Sequence, residues 1–274
     1  MWARVAHRLL MQRTMSNRIV SILSALLLTS AAAACASEDD LVDTTSIEEN
    51  SWGDLSSRPS FELWKSTDGQ FRFHLALASQ EILVTSQGYN SRTAALTGLL
   101  SVLENGKNPA SYELLTATSG GTYFNLKAAN KATIATSQVY ADAGAAKADV
   151  TATVTATATY TKAWDTATGA RFAVKQDVGG QFYFNLHARN GGIMLRSERY
   201  NTKAAALNGA FSVADNGLTS ARYQVVAAAS GGYYLNLTAT NGQVIATSEV
   251  YASKPSAERA RTAVIALLPV VALL

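Results

Sequence analysis

The strongest constraint on the fold is an internal repeat that runs through most of the chain. Serine and tyrosine positions recur at a shift of 111 residues, as Ser86 and Ser197 do, and as Tyr140 and Tyr251 do. Within the first block, a shift of 51 residues separates Ser86 from Ser137. An unbroken register of this kind indicates four copies of one supersecondary unit, in the order A-B-A′-B′.

Each unit has the pattern of three short antiparallel strands. In the first unit, apolar side chains alternate along 61–65 and again at Phe71, Phe73 and Leu75, and a short third strand ends at Ser86. Alternation with a period of two predicts strands that bury one face. Glycine-containing turns, which supply the positive φ angles of tight hairpins, separate the first and second strands: Asp68-Gly69, Gly120-Gly121, Gly179-Gly180 and Gly231-Gly232.

A helix is expected to close each unit. Residues 91–103 place Ala95, Leu99, Val102 and Leu103 on one helical face, and residues 204–213 match this pattern. A three-stranded sheet needs such a helix to cover its apolar face. For the second and fourth units the sequence does not decide whether a helix forms, because 141–159 is rich in alanine and threonine.

The amino terminus has the pattern of an exported lipoprotein. Arg18 precedes an apolar run at 19–34, which is shorter than a spanning helix needs, and Cys35 follows it. The segment Ala32-Ala33-Ala34-Cys35 resembles a bacterial lipobox, although leucine is usual where Ala32 stands. The resemblance implies cleavage after residue 34 and acylation (palmitate included) of Cys35, an anchor in the membrane. An ordinary cleaved signal is the alternative, and either Met1 or Met15 is the start.

Composition supports this division of the chain. Residues 1–34 hold four of the 23 basic side chains and no acidic one, which leaves 19 basic against 20 acidic and a net charge of −1 for the remainder. A near-neutral body lacks the basic surface of a nucleic-acid-binding protein. The single cysteine excludes a disulfide within the chain.

Two segments flank the repeats. Residues 35–59 are rich in serine and acidic residues without apolar periodicity, which predicts a flexible tether. Residues 268–274 form an apolar tail that is too short to span a bilayer. We expect the tail to extend the last helix and to pack on the sheet; a docking segment for a neighbour or for lipid is the alternative.

The motifs at 61–73, 98–102 and 120–130 resemble those of the YegP-like family, a bacterial domain of unknown function that occurs as a tandem pair. The resemblance implies an α+β fold: two tandem domains, each of two β-β-β-α repeats forming one antiparallel sheet with exchanged helices on one face. The first domain would span 60–156 (repeats 60–107 and 111–156) and the second 171–267 (repeats 171–217 and 222–267), joined by a linker at 157–170. Gly98 and Gly209 fit the family, whereas Asp149 and Ala260 depart from it.

No catalytic residue, metal site or cofactor is predicted. Each unit has a Ser-x-x-Tyr pair, which we interpret as structural because a general base is missing. His74 and His187 are not equivalent under the 111-residue shift, which makes them surface strand residues and not metal ligands. The four pairs are Ser86/Tyr89, Ser137/Tyr140, Ser197/Tyr200 and Ser248/Tyr251.

The second strands carry the candidate ligand-binding residues. Alternation places tyrosine and asparagine opposite the core side chains, on the face that helices would leave open. Aromatic rings beside amides suit polar, ring-shaped ligands, whereas strand propensity and cross-strand pairing explain the same pattern without a ligand. The candidates are Tyr123, Asn125, Tyr183, Asn185, Tyr234 and Asn236.

These features together favour a non-catalytic, lipid-anchored protein of the bacterial cell envelope, with the outer membrane as the expected location. Its partners would be the membrane, through the lipid, and an envelope glycan or protein. Self-assembly through sheet edges and swapped helices, as a homo-oligomer, is the first alternative, and an uncharacterised hydrolase is the second.

Overall fold

The structure, a computed structural model, describes residues 58–271. The predicted signal at 1–34, the anchor residue Cys35, most of the tether at 35–59 and the end of the tail lie outside the described residues.

The twelve predicted strands all form within these residues, in two six-stranded sheets. The sheet orders are β1-β2-β3-β6-β5-β4 and β10-β11-β12-β9-β8-β7, with antiparallel pairing throughout the registered ladders. The first sheet contains β1 (Ser60–Lys65), β2 (Phe71–Ala76), β3 (Ile82–Ser86), β4 (Tyr112–Thr116), β5 (Thr122–Lys127) and β6 (Thr133–Thr136). The second contains β7 (Arg171–Gln176), β8 (Phe182–His187), β9 (Ile193–Arg196), β10 (Tyr223–Ala227), β11 (Tyr233–Thr238) and β12 (Val244–Thr247).

The two units of each domain meet at a short seam between their third strands. In the first sheet, β3 and β6 are in register only at Thr85 with Thr136 and at Ser86 with Ala135. In the second sheet, β9 and β12 are in register at Arg196 with Thr247. One continuous antiparallel sheet per domain, as the family resemblance implies, is therefore confirmed.

Every unit keeps its closing helix within the described chain. The helices are α1 (Arg92–Asn105), α2 (Ala143–Asp165), α3 (Lys203–Asn216) and α4 (Lys254–Leu267). Each begins after an N-cap side chain that accepts a hydrogen bond from a backbone N–H of the first turn: Ser91, Asp142, Thr202 and Ser253. The second and fourth units therefore have the same β-β-β-α order as the others. This settles whether they form a helix, which the sequence did not decide.

The predicted linker at 157–170 is wrong over most of its length. Helix α2 continues to Asp165, so that 166–170 alone connect it to β7. Thr157 is fully buried and donates a hydrogen bond to the carbonyl oxygen of Thr153 at 2.8 Å. Tyr160 packs its ring edge-on against Phe61 in β1, at 5.0 Å between centroids. Burial against the first sheet thus outweighs the low helix propensity of threonine.

The start of the apolar tail belongs to the second core. Leu268 opens a short 3₁₀ helix (Leu268–Val270), is 5% exposed and packs in the same cluster as Val264 and Val271. It lies 111 residues after Thr157 and therefore occupies the place of that residue in the second domain. The described part of the tail packs as expected. Between residues 58 and 271, no helix has the length and apolar character required to cross a membrane.

Both helices of a domain lie on the same face of its sheet. The first core joins Phe73 and Leu75 of β2 with Phe124 and Leu126 of β5 under the buried face of α1, which includes Leu99. Helix α1 packs on β2 of its own unit and on β5 and β6 of the next. Helix α2 likewise reaches β3 and β5. Each helix therefore spans the seam.

The two domains contact each other through α1 and α3. Leu96 of α1 is buried against Ala204 and Leu207 of α3. Arg92 forms an ion pair with Asp215 at 3.0 Å, and its guanidinium lies 5.1 Å from the centroid of the Phe211 ring. The helices of this pair lie between the domains, so each sheet keeps its other face free of helices.

Candidate functional site

The face of each sheet without helices, here called the open face, is crossed at right angles to the strands by a row of side chains, the polar row, in which every residue but Ala173 is polar. Strand register places one residue of each strand in this row, since directly paired residues point to the same side. In the first sheet the row is Glu62, His74, Thr85, Thr136, Asn125 and Glu113. In the second it is Ala173, Asn185, Arg196, Thr247, Asn236 and Gln224.

The six candidate residues lie on the open faces, but not in one site. Tyr123 and Asn125 are on the first sheet, and the other four are on the second. Strands β9 and β12 separate Tyr183 from Tyr234, a lateral distance of about 14 Å at the usual strand spacing. The two tyrosines also lie on opposite sides of the polar row, because β8 and β11 run in opposite directions. The structure therefore forms three separate tyrosine–asparagine pairs.

Hydrogen bonds within the sheet orient the three amides. Asn125 Oδ1 accepts a hydrogen bond from Thr136 at 2.8 Å, and Asn236 Oδ1 accepts one from Thr247 at 2.9 Å. Asn185 Oδ1 accepts one from Arg196 Nε at 3.1 Å. In each case the carbonyl oxygen of the amide is used inside the sheet. The amide nitrogen, a donor with two hydrogens, is therefore the group of each side chain that remains for a further hydrogen bond.

The first unit has a different cluster in place of the tyrosine and asparagine. His74 Nε2 lies 3.1 Å from Glu62 Oε2, and the His74 ring lies 5.1 Å from the Trp64 ring. Burial lowers the pKa of His74, and the neighbouring Glu62 carboxylate opposes that shift. The sequence analysis missed Trp64 and Glu62, although alternation along β1 places both on the open face.

Arg196 is another residue that the sequence analysis missed. Its guanidinium is exposed and lies 5.5 Å from the centroid of the Tyr183 ring, a distance that permits cation–π attraction. Asn185 is 1% exposed, and its Nδ2 has no hydrogen-bond partner in the part of the chain that the structure describes. The signal was available, since Arg196 stands where the first domain has Thr85.

A cleft follows the seam of the first sheet. It has a volume of about 610 Å³ and lies where β3 and β6 separate beyond their two registered pairs. Its lining includes Thr85, Thr136 and Gln138. Because Thr85 and Thr136 also belong to the polar row, the cleft and the open face are continuous.

The Ser-x-x-Tyr pairs have structural roles. Ser86 Oγ accepts a hydrogen bond from the backbone N–H of Phe73 at 3.0 Å and donates one to the carbonyl oxygen of Gln87 at 2.8 Å. The other three serines make the same two bonds. Burial raises the pKa of Tyr89, and it raises that of Tyr200 to about 12. Both phenols therefore stay protonated at neutral pH, and the structural interpretation of the pairs agrees with these contacts.

The two histidines within residues 58–271 do not come together, and the prediction that both lie at the surface is wrong for His187. His74 is in β2 of the first sheet and His187 in β8 of the second. His187 is 7% exposed, and its Nδ1 lies 2.8 Å from the carbonyl oxygen of Gly191. Across residues 58–271, no group of three or more His, Cys, Asp or Glu side chains is arranged to hold a metal ion.

Comparison with known protein families finds the same family in each of the four units. The family described as "Domain of unknown function (DUF1508)" matches residues 66–113, 117–159, 177–224 and 228–266. Each match begins in the turn after a first strand, so the family unit is offset by about one strand from the unit used here.

Several curated relatives carry the name UPF0339. The UPF0339 protein PA0329 of Pseudomonas aeruginosa is 46% identical over 89 residues, which is 32% of this chain and 81% of the relative. The UPF0339 protein YegP of Escherichia coli K12 is 49% identical over 83 residues, 30% of this chain and 76% of the relative. Such a relative therefore corresponds in length to one of the two domains.

The solved structures of two UPF0339 relatives also match about one third of this chain. The solution NMR structure of the E. coli protein of unknown function YegP is 44% identical and covers 37% of this chain and 87% of its own, with a TM-score of 0.35. That of UPF0339 protein SO3888 from Shewanella oneidensis is 34% identical and covers 36% and 84%, also with a TM-score of 0.35. Since the family matches all four units, this chain belongs to the DUF1508 family of domains of unknown function.

Proposed function

We propose that this protein is a non-catalytic, lipid-anchored protein of the bacterial cell envelope that binds an envelope glycan through its open sheet faces. The observation that supports glycan binding is the repeated pairing of a tyrosine ring with an amide whose orientation is fixed. Sugar rings stack on flat aromatic side chains, and sugar hydroxyl groups accept hydrogen bonds from amide N–H groups.

The repetition of the pair supports a binding role further. Three separate pairs, each too far from the next to enclose one ring, suit a ligand that is itself a chain of similar rings. Several weak contacts on one molecule raise the overall affinity well above that of each alone. A cell-wall polysaccharide has this repetitive form.

The test compares a triple alanine variant with a triple phenylalanine variant. The substitutions Tyr123→Ala, Tyr183→Ala and Tyr234→Ala remove all three rings, whereas phenylalanine at the same positions keeps them. We expect the alanine variant to lose binding to isolated cell wall in a pull-down and the phenylalanine variant to keep most of it. Binding by the alanine variant at the wild-type level would refute the proposal.

The location is a separate part of the proposal. A lipid on Cys35 in the outer membrane would hold the open faces near the cell wall. Mass spectrometry of the mature amino terminus is expected to find acyl chains on Cys35, and Cys35→Ser is expected to release the protein from the membrane fraction. A mature protein that starts elsewhere without lipid would contradict the anchor and leave the glycan-binding test unaffected.

Self-assembly is the second candidate, because β1, β4, β7 and β10 are the edges of the two sheets and each pairs on one side in the described strands. Unpaired edges can add a strand from another copy. Light scattering over a range of concentrations separates the candidates: growth of the mass with concentration favours assembly, and a constant monomer mass argues against it.

A further inference from the structure

The two open faces differ in charge, and the difference points to the kind of ligand. We propose that the open face of the second sheet binds the acidic groups of an anionic oligosaccharide, with Arg196 as the principal contact, and that the first sheet lacks this site. This inference rests on the proposed glycan-binding function and names the class of glycan.

Five substitutions between equivalent positions make the open face of the second sheet more positive, and two others, Tyr183 in place of Arg72 and Thr238 in place of Lys127, remove a positive charge from it. The first sheet has two carboxylates on its open face, Glu62 and Glu113, whereas the second has Ala173 and Gln224 in their places. Three further positions are positively charged in the second sheet only. Arg171, Lys175 and Arg196 stand there in place of Ser60, Trp64 and Thr85 of the first sheet.

The first sheet's own cations are neutralised by neighbours. Arg72 is paired with Asp68 at 2.7 Å, and Lys127 with Glu113 at 3.1 Å. On the second sheet, none of the open-face positions in the six described strands is an acid. The second face is therefore cationic, whereas the first is close to neutral. The charge of the second face is complementary to that of an anionic ligand.

Arg196 is held in a geometry that suits a carboxylate. Its Nε donates to Asn185 Oδ1 and its guanidinium lies over the Tyr183 ring, whereas its two terminal nitrogens form no hydrogen bond with the described residues. Guanidinium groups bind carboxylates with two parallel hydrogen bonds. A sugar acid could place its carboxylate on Arg196 while its ring lies near Tyr183.

Two buried polar atoms of β8, the strand that pairs with the strand of Arg196, lack hydrogen-bond partners within the described residues, which is an independent sign of a ligand. Between residues 58 and 271 nothing forms a hydrogen bond with Asn185 Nδ2 or His187 Nε2, and these residues are 1% and 7% exposed. Leaving such a group unsatisfied costs about 1–3 kcal/mol. His187 Nδ1 donates its proton to the Gly191 carbonyl oxygen, so Nε2 is an acceptor that could receive a hydrogen bond from a sugar hydroxyl group.

The experiment measures binding of the full chain to hexagalacturonate and to its fully methyl-esterified form by calorimetry. The ester keeps the sugar rings and removes the charges. Arg196→Thr introduces the residue that the first sheet has at the equivalent position. Lys127→Thr is the matched control, since it removes one charge from the first sheet and introduces the residue that the second sheet has there, Thr238.

We expect wild type to prefer the acid form, and Arg196→Thr to weaken that binding about 10- to 100-fold, the range for losing a charged hydrogen bond. Lys127→Thr should bind like wild type, and affinity for the ester should be the same in all three proteins. Arg196→Gln, which keeps a donor near Asn185 without charge, should behave like Arg196→Thr; melting curves verify that each variant is folded.

Two results would overturn the inference. If wild type binds the acid and the ester equally, or binds neither, the second face does not select for charge. If Lys127→Thr weakens binding as much as Arg196→Thr does, the effect comes from overall charge and not from this site. Neither result refutes glycan binding itself, which depends on the separate cell-wall pull-down with the tyrosine variants.

Discussion

The hydroxyl group of Tyr89 lies where the Cβ atom of any residue other than glycine would stand at position 98. The ring of Tyr89 stacks on Phe73 at 6.2 Å between centroids, and the helix α1 backbone passes directly over it. The same arrangement recurs with Tyr200 over Gly209. Glycine therefore stands at positions 98 and 209 because the tyrosine leaves no room for a Cβ atom, and not because of an unusual φ angle.

Gly98→Ala is expected to destabilise the protein despite the higher helix propensity of alanine. The added methyl group would overlap Tyr89, and relieving an overpacked core of this kind costs about 1–3 kcal/mol. Thr97→Ala on the exposed side of the same helix is the control and should change stability by a few tenths of a kcal/mol, about the size of a propensity difference. Urea denaturation measures both, and equal stabilities of the two variants would contradict this packing argument.

The recurring serines give a second prediction, with the four units as internal controls. Ser86 and Ser197 are buried, whereas Ser137 and Ser248 are partly exposed. Alanine at Ser86 leaves the N–H of Phe73 without its partner in a dry environment, a loss of about 1–3 kcal/mol. Alanine at Ser248 should cost less, because water can replace the hydroxyl group. Identical losses in chemical denaturation would show that burial is not the deciding factor.

His74 gives the fold a dependence on pH. Its folded pKa lies below the ordinary value of 6.5, so the unfolded chain binds the proton more readily. The stability that neutral His74 contributes is complete above pH 6.5 and declines as the pH falls toward the folded pKa. Asparagine occupies the position of His74 in the other three units. His74→Asn should therefore make the melting temperature vary less with pH below 6.5 than it does in wild type.

The neighbour of His74 supplies the control. Glu62 raises the pKa of His74, against the larger effect of burial. Glu62→Gln should therefore lower the pKa of His74 further and make the loss of stability in acid steeper. A His74→Asn variant with the pH profile of wild type would assign the dependence to other groups.

The domain contact can be tested at Leu96. This side chain is fully buried against Ala204 and Leu207 of the other domain, so Leu96→Ala is expected to cost about 2–5 kcal/mol. It should also increase hydrogen exchange in α3. Leu99→Ala, three residues on, faces the core of the first domain and should leave exchange in α3 unchanged. Unaltered exchange in α3 after Leu96→Ala would mean that the domains are not coupled there.

Most of the fold could be predicted because alternation and glycine turns repeat four times. The end of α2 could not, since Thr153, Thr157 and Thr161 have low intrinsic helix propensity and their hydroxyl groups bond back to carbonyl oxygens one turn earlier. What favours the helix there is the packing of Tyr160 on Phe61, a contact between residues almost a hundred positions apart.

The candidate site was predicted in part for a similar reason. Alternation places Tyr123 and Tyr183 opposite the core side chains of their strands, and so identifies the open face, but it does not say which strands lie side by side. Arg196 comes next to Asn185 only through the pairing of β8 with β9. Equivalence between repeats directs attention to what units share, whereas Arg196 matters because it differs from Thr85.

The chain enters its first domain through β1, an edge strand whose ladder runs antiparallel to β2 from Ser60 opposite Ala76. A force on the polypeptide ahead of Ser60 that acts across the strand would break these hydrogen bonds one after another, beginning at Ser60. Release of β1 would also take Phe61 out of the first core, so the contact with Tyr160 that supports the end of α2 would be lost together with the strand.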